Sequence, residues 1–275
     1  CAVRLFVLFS CLANIQYARV NVNNRAALSS LRSIMTSHPL LESLVKSAEL
    51  FHTPCGEGRL TWRRWGKGEP LVLLHGGSGS WKHWVRNIHG LTERYEVWAP
   101  DMPGYGDSDD APAPIDFASI ANIISSGFAM LRPEQSFRLV GFSLGSVVAS
   151  YVAAAHPERV DRVVIINGHL IGPLLAQPRQ MLTRWRDIVD PIAFDKIMRD
   201  NLSVLMISNP AAIDDLAVQL YGEDLRKARL RPIALMEMRD DMILTRLRTR
   251  TICIAGEFDP IASPSVEAQM AKLRA

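Results

Sequence analysis

Four short apolar runs constrain the fold of this chain more than any other feature of its sequence. They read "PLVLLHGG", "YEVWAPD", "FRLVGFS" and "RVVIING", and they close on residues such as Gly, Pro or Asp. Unbroken apolar runs of this length are typical of parallel strands that are buried on both faces of a sheet. An earlier run, "RLTWRRWG", alternates enough to predict an edge strand.

Helical patterns lie between these predicted strands. One covers Ile115 to Leu131, where Asp116 can cap the N-terminus and apolar residues mark one face. Another covers Leu144 to His156 and is closed by a proline. Because strands alternate with helices, the sequence predicts an α/β fold with a mostly parallel, doubly wound sheet and ligand sites at the carboxyl ends of the strands.

Residues 170–247 break this alternation. They are mostly helical in pattern and precede the next predicted strand, in "TRTICIAGEFD". We therefore expect a core formed by residues 35–169 and 248–275, with residues 170–247 inserted as a helical lid. Four apolar residues of the insertion are expected to form the interior of the lid rather than to contact substrate: Leu182, Trp185, Ile188 and Val189.

The first 34 residues permit two interpretations. The chain begins at Cys1, and the apolar run from Leu5 to Ala13 is similar to a secretory signal but too short to span a bilayer. Alternatively, Met35 begins an ordinary cytoplasmic protein and residues 1–34 are upstream sequence. We expect a cytoplasmic protein, with secretion as the alternative if residues 1–18 are a signal peptide.

Composition excludes several classes of protein. The chain has 275 residues, of which 48% are hydrophobic and 21% charged, so it can bury a large core. Its 31 basic and 28 acidic residues form no basic block, which gives little reason to expect nucleic acid as a partner. No cofactor, metal or nucleotide motif is present, and "GGSGSW" lacks the lysine of a P-loop. The four cysteines have no metal-binding spacing and are expected to be reduced thiols: Cys1, Cys11, Cys55 and Cys253.

Ser143 lies in the pattern G-x-S-x-G, between Gly141 and Gly145, at the point where a strand gives way to a helix. In this turn a serine is lifted off the edge of the sheet, and the glycines let strand and helix pack closely. The backbone N–H of Leu144, at the start of the helix, can donate to a developing oxyanion.

A second oxyanion donor is expected from the loop in "LLHGGSGSW". We predict the N–H of Gly77, with Ser78 as the alternative, because glycine tolerates unusual backbone dihedrals. His75 in the same loop is expected to be structural, since it precedes Ser143, whereas the order for this turn is serine, acid, histidine.

Four motifs together resemble the α/β-hydrolase family: "HGG" at 75–77, "DMPGYGDSD" at 101–109, "GFSLG" at 141–145 and "AGEFDPI" at 255–261. The resemblance covers Arg59 to Ala275 and implies a nucleophile at Ser143, an acid at Asp259 and a helical lid. The competing position for the acid holds Asn167. The carboxylates of the "DMPGYGDSD" turn are expected to be structural: Asp101, Asp107 and Asp109.

The chain departs from the family at the catalytic histidine, which should follow Asp259. All seven histidines lie upstream of it: His38, His52, His75, His83, His89, His156 and His169. Truncation within "PSVEAQMAKLRA", before the last strand and the Gly-His loop of the family, is favoured over a natural loss of the base. A chain that lacks this histidine is expected to be inactive. His169 is expected to be a polar residue at the lid entrance.

The resemblance implies hydrolysis by acyl transfer to water, with a small-molecule substrate. The lid segment resembles those of hydrolases of aromatic degradation, including carbon–carbon bond hydrolases, and those of carboxylesterases, so a small ester or a vinylogous diketone is expected. Serine at position 143 argues against the dehalogenase and epoxide hydrolase branches, where the resemblance would require aspartate. An inactive ligand-binding protein on the same fold, and an acyltransferase or perhydrolase, remain open, as does the oligomeric state.

Overall fold

A seven-stranded sheet forms the centre of the computed structural model, which describes residues 38–168, 182–231, 235, 240, 242–259 and 265. The strands are Glu49–Cys55 (β1), Gly58–Trp65 (β2), Glu69–Leu74 (β3), Tyr95–Pro100 (β4), Phe137–Phe142 (β5), Val160–Ile166 (β6) and Arg250–Ile254 (β7). Their order across the sheet is β1-β2-β4-β3-β5-β6-β7. The four apolar runs predicted as strands are β3, β4, β5 and β6.

The sheet is mostly parallel, as predicted. Strands β4, β3, β5, β6 and β7 run parallel, whereas β2 is antiparallel to both of its neighbours, β1 and β4. The prediction that "RLTWRRWG" is an edge strand was wrong, because β2 is covered by β1 on its outer side. Strand β1 is the edge, and it contains Pro54, a residue without a backbone N–H that sheets accept at their edges.

The helices are Pro39–Ser47 (α1), Val85–Leu91 (α2), Phe117–Leu131 (α3), Leu144–Ala155 (α4), Pro191–Leu205 (α5) and Asp215–Lys227 (α6). Short 3-10 turns lie at Trp81–Trp84, Pro210–Ala212 and Ile243–Arg246. The two helices predicted from periodicity are α3 and α4, with ends within two residues of the prediction. Over the described ranges, none of the helices is long and apolar enough to cross a membrane.

The two faces of the sheet bury separate apolar clusters. On β3, Val72 and Leu74 join one cluster, together with residues of α3 and α4. Leu71 and Leu73 join the other, together with residues of α1 and α2. Because alternate side chains of a strand point to opposite faces, this division shows helices covering both faces, which is the doubly wound arrangement that was predicted.

Between β6 and β7 the described residues include α5, α6 and two 3-10 turns, and they form no strand. We call residues 182–247 the helical insertion. Its small apolar cluster is formed by Phe194, Met198, Leu202, Ile213 and Val218. The end of α6 reaches the core, where the backbone N–H groups of Arg229 and Leu230 donate to the carbonyl oxygen of Gly104 at 2.9 and 3.3 Å.

The apolar residues predicted to form the interior of the insertion divide into two groups. Trp185 and Ile188 pack against its small cluster, and Leu182 is half-buried. Val189 is 94% exposed, so the prediction for this residue was wrong. It directly precedes Asp190, the N-cap of α5, and therefore lies in the connecting segment outside the helical periodicity.

Helix α3 begins with a reciprocal cap between Asp116 and Ser119. The N–H of Ser119 donates to the Asp116 carboxylate at 2.7 Å, and the N–H of Asp116 donates to the Ser119 hydroxyl at 3.0 Å. This arrangement satisfies two of the backbone donors that a helix start otherwise leaves without a partner.

We predict that Asp116→Ala lowers the free energy of unfolding by about 1 kcal/mol, because the N–H of Ser119 loses its acceptor. Glu134→Ala removes an exposed carboxylate from the loop after the same helix and should change stability by less than about 0.5 kcal/mol. Urea denaturation of both variants measures the difference. Equal stabilities would show that the cap contributes nothing.

Candidate active site

Ser143 occupies the turn between β5 and α4 in a strained backbone conformation. Its φ is 51° and its ψ −115°, a region that residues with a Cβ rarely enter. Its backbone N–H donates to the carbonyl oxygen of Ile166 at 2.9 Å, which joins the turn to the end of β6. The side chain is half-buried at the carboxyl edge of the sheet, where parallel α/β folds bind ligands.

The glycines on either side of Ser143 allow this turn to pack closely. A Cβ on Gly141 would lie 2.3 Å from the carbonyl oxygen of Gly145. A Cβ on Gly145 would lie 2.4 Å from the carbonyl oxygens of both Leu74 and His75. A larger residue at either position would clash with the backbone of the neighbouring segment. The G-x-S-x-G pattern therefore follows from the close approach of α4 to the ends of β5 and β3.

Residues 75–80, which we call the glycine loop, follow β3 and lie beside the Ser143 turn because β3 and β5 are neighbours. Gly77 and Ser78 are half-buried, and the loop is closed by the N–H of Gly79 donating to the carbonyl oxygen of Gly76 at 3.2 Å. Its left-handed dihedral lies at Ser78, with φ 57°, next to Gly77, where the unusual conformation was expected. Ser78 was the alternative donor in the prediction.

His75, the first residue of the glycine loop, is fully buried, and both of its ring nitrogens have partners. Nε2 accepts from the backbone N–H of Met102 at 2.9 Å, so Nδ1 carries the proton and donates to the carbonyl oxygen of Gly76 at 2.7 Å. Burial, with a smaller effect of the neighbouring His83, lowers the pKa of His75 to about 3. A neutral ring held on both sides is the structural role that was expected.

A second ring, that of His83, supports the glycine loop and was missed in the sequence. Its Nδ1 accepts from the backbone N–H of Gly76 at 3.1 Å, and the ring packs edge-on against Phe142, the residue before Ser143. Burial and the charge of Lys82 lower the pKa of His83 to about 4. The sequence "WKHW" did not indicate that His83 would contact the glycine loop.

The carboxylates of residues 101–109 organise their own turn, as expected. Asp101 is 1% exposed and accepts from the backbone N–H groups of Trp81 at 2.8 Å and Asp107 at 2.9 Å, and from Arg63 at 3.0 Å. Asp109 accepts from the N–H of Arg59 at 2.8 Å. Their lone pairs are used within the fold rather than toward Ser143.

Asp259 lies in the turn after β7, at the same edge of the sheet as Ser143. Its N–H donates to the carbonyl oxygen of Gly256 at 3.1 Å, and the side chain is half-buried. Asn167, at the end of β6, joins this turn to the sheet, since its N–H donates to Ile254 and its side-chain oxygen accepts from Gly256, each at 2.8 Å. Strand β6 separates β5 from β7, so their ends are about 10 Å apart.

Four other described histidines have places away from the Ser143 turn. His38 caps the start of α1, His52 lies on the edge strand β1, and His89 lies on α2. His156 follows the last residue of α4, about 20 Å along the helix from Ser143. His169, the remaining candidate, lies outside the described residues. Within the described part of the chain, no His, Cys, Asp and Glu side chains group as a potential metal site.

A buried polar cluster joins the glycine loop to α6 and was also missed in the sequence. The hydroxyl of Ser80 lies 2.9 Å from both carboxylate oxygens of Asp224. Lys82 Nζ lies 3.1 Å from Asp224 and 2.8 Å from Glu223. Burial raises the pKa of Asp224 to about 6, against the opposing effects of Lys82 and Ser80. Burial lowers the pKa of Lys82, but the two carboxylates outweigh this effect and hold the pKa of Lys82 above its usual value.

We predict that Ser143→Gly is more stable than Ser143→Ala by about 1 kcal/mol. Alanine keeps the Cβ that is strained at φ 51°, whereas glycine relieves a strain of about 1–3 kcal/mol and costs about 0.4–1 kcal/mol through the unfolded chain. Exposed Ser126 on α3 is the matched control, where the order should reverse because glycine weakens a helix. Thermal unfolding of the four variants measures both differences, and the same order at both positions would refute the strain.

The raised pKa of Asp224 predicts that its effect on stability depends on pH. Between the ordinary aspartate pKa of 3.8 and about 6, the folded state holds the proton that the unfolded state has released, so ionisation disfavours folding as pH rises. The stability of the parent relative to Asp224→Asn should therefore fall by about 2–3 kcal/mol from pH 3.5 to pH 7. Denaturation at several pH values measures it, and a difference that rises with pH would contradict a raised pKa.

Comparison with known proteins agrees with this geometry. The family model described as "alpha/beta hydrolase fold" matches residues 69–197. A pimeloyl-[acyl-carrier protein] methyl ester esterase from Vibrio campbellii is 32% identical over 147 residues, which are 53% of this chain and 53% of the relative. A pyrrolizixenacetamide deacetylase from Xenorhabdus hominickii is 33% identical over 135 residues, which are 49% of this chain and 50% of the relative. The chain thus spans about half the length of these curated relatives.

Solved structures share the fold over a longer part of the chain. A membrane phospholipase A superimposes with a TM-score of 0.66 at 20% identity, covering 90% of this chain and 80% of its own. The meta-cleavage product hydrolase CumD from Pseudomonas fluorescens IP01 superimposes with a TM-score of 0.64 at 21% identity, covering 81% and 85%. With the mostly parallel sheet, the strained serine turn and the family model that matches residues 69–197, these similarities show that the chain has the α/β-hydrolase fold.

Proposed function

We propose that this protein is a serine hydrolase that transfers the acyl group of a small ester to water through Ser143. The observation that carries the proposal is the strained backbone of Ser143 at the strand–helix turn, because strained positions of this kind cluster at active sites and this turn presents the serine hydroxyl at the edge of the sheet. The glycine loop and the turn of Asp259 lie at the same edge of the sheet, which supports the proposal that they provide an oxyanion donor and the acid.

In the proposed reaction, the Ser143 oxygen forms a bond to the substrate carbonyl carbon while its proton passes to a histidine base. The carbonyl oxygen becomes an oxyanion and accepts from the N–H groups of Leu144 and Gly77. Collapse of this intermediate breaks the ester bond, and the leaving alcohol takes the proton from the histidinium. Water then attacks the acyl-enzyme by the same route and releases the acid.

Asp259 is proposed to accept from the second nitrogen of that histidine, which fixes its tautomer and stabilises the imidazolium. The order serine, acid, histidine of this turn places the base after Asp259, whereas all seven histidines of the given sequence precede Asp259. Asn167, at the alternative position, is a neutral amide whose side-chain oxygen is occupied by Gly256, so it does not replace Asp259.

The names of the relatives support a carbonyl substrate without fixing its identity. They include a methyl ester esterase, a deacetylase and an (E)-2-((N-methylformamido)methylene)succinate hydrolase from Acinetobacter baylyi, which is 30% identical over 105 residues. We propose a small ester as the substrate class, with a vinylogous diketone from an opened aromatic ring as the second candidate, because CumD is a meta-cleavage product hydrolase.

We predict that the natural full-length protein hydrolyses p-nitrophenyl acetate and that a fluorophosphonate labels Ser143. Ser143→Ala should abolish both, and Asp259→Asn should lower kcat by about 10⁴-fold because the base loses its orientation. Ser126→Ala, at an exposed serine of α3, is the control and should leave hydrolysis and labelling unchanged. Stopped assays and mass spectrometry of the labelled peptide measure these results, and the intact mass identifies the natural chain.

Other outcomes distinguish the remaining functions. Saturable ligand binding without turnover or labelling would refute the hydrolase and favour an inactive binding protein on this fold. Formation of a new ester in added alcohol, or of a peracid in added peroxide, at rates above hydrolysis would favour an acyltransferase or a perhydrolase.

A further inference from the structure

The glycine loop contacts the helical insertion through one buried hydroxyl, that of Ser80. Ser80 is 1% exposed and Asp224, its partner on α6, is 2% exposed. The Ser80 oxygen is equally close to both carboxylate oxygens, at 2.9 Å, and it accepts from the backbone N–H of Lys82 at 3.2 Å. The hydroxyl therefore acts as donor and acceptor at once, which fixes its orientation.

The charge of Asp224 is compensated within the same cluster. Lys82 Nζ lies between Asp224 and Glu223, at 3.1 and 2.8 Å. Glu223 is 39% exposed and makes no contact with Ser80 among those described, whereas Asp224 contacts both Ser80 and Lys82. Of the two carboxylates, Asp224 is therefore the one that connects α6 to the glycine loop.

The other contacts of the glycine loop come from the sheet side. The rings of His75 and His83 hold Gly76, and Asp101 accepts from the N–H of Trp81, directly after Ser80. Asp224 approaches from the insertion, 144 residues further along the chain than Ser80. Contacts at both ends of the loop define the path of the residues between them, which include the proposed oxyanion donor.

We propose that Asp224 is a positioning residue for acyl transfer, which holds the glycine loop through Ser80 so that the N–H of Gly77 faces the oxyanion of the Ser143 adduct. This inference rests on the proposed function. Loss of an oxyanion donor lowers kcat by about 10²–10³-fold. A loop that still adopts the correct conformation part of the time retains part of this contribution to kcat, so we expect kcat to decrease by about ten-fold or more. KM should change by less than about three-fold, because the oxyanion forms only after the substrate has bound.

The test compares five variants of the natural full-length protein. Ser80→Ala removes the hydroxyl and leaves the charges of Asp224 and Lys82 paired, whereas Asp224→Ala removes the acceptor. Both should lower kcat and the fluorophosphonate labelling rate about ten-fold or more, and the double variant should lose no more than either single variant. Asp224→Asn keeps an oxygen that can accept from Ser80 and should recover kcat to within about three-fold of the parent.

Glu223→Gln is the matched control, because it alters the adjacent carboxylate on the same lysine without touching Ser80, and its kcat should remain that of the parent. Amide hydrogen exchange of residues 75–80 provides a second readout that does not depend on activity. Exchange should accelerate about ten-fold or more in Ser80→Ala and Asp224→Ala. Assays run well below the melting temperature of each variant keep unfolding out of the comparison.

The outcomes separate this inference from the proposed function. A parent that hydrolyses esters, with Ser80→Ala and Asp224→Ala at parental kcat or parental loop exchange, overturns the positioning role alone. A parent without turnover or labelling overturns the proposed function and, with it, the positioning role of Asp224 in acyl transfer, whatever the exchange shows. Additive losses in the double variant would also overturn it, because they would show that Ser80 and Asp224 act separately.

Discussion

The close approach of α4 to the end of β3 is the constraint on which the candidate site depends. At Gly145 the helix backbone comes so near to the carbonyl oxygens of Leu74 and His75 that no side chain fits between them. This approach forces the chain to leave β5 through a tight turn, and Ser143 takes a left-handed conformation there. The apolar interior of the sheet holds the strands in place and so fixes the position of the turn, which links packing energy to the orientation of one hydroxyl.

Much of the sheet could be predicted because its information is local. Strands β3 to β6 are continuous apolar runs, and α3 carries both a periodic apolar face and a capping residue, Asp116. Strand β1 could not be predicted, because "ELFHTPC" mixes polar, aromatic and proline residues without a clear period, and its partner β2 stabilises it only in the folded chain. The misassignment of β2 as the edge followed directly from this omission.

The candidate site also contains features that could be predicted from the sequence and features that could not. The serine turn and the glycine loop are short patterns that a sequence shows directly. The acid at Asp259 is implied by the resemblance to a family, and its role stays a prediction. The contacts of His83, Ser80 and Asp224 could not be predicted, since a polar residue in a short turn or on an amphipathic helix resembles a solvated residue until its partner is known. Ser80 and Asp224 are 144 residues apart and meet only because the insertion folds back over the core.

The two neutral rings below the glycine loop affect how the activity of this protein would be interpreted. With pKa values of about 3 for His75 and about 4 for His83, both rings are uncharged throughout the range in which esters are usually assayed. They add no positive charge near Ser143, so they neither attract anionic substrates nor contribute an inflection to the dependence of rate on pH. An inflection near neutrality would then belong to the catalytic base, and one near pH 6 has Asp224 as a second source.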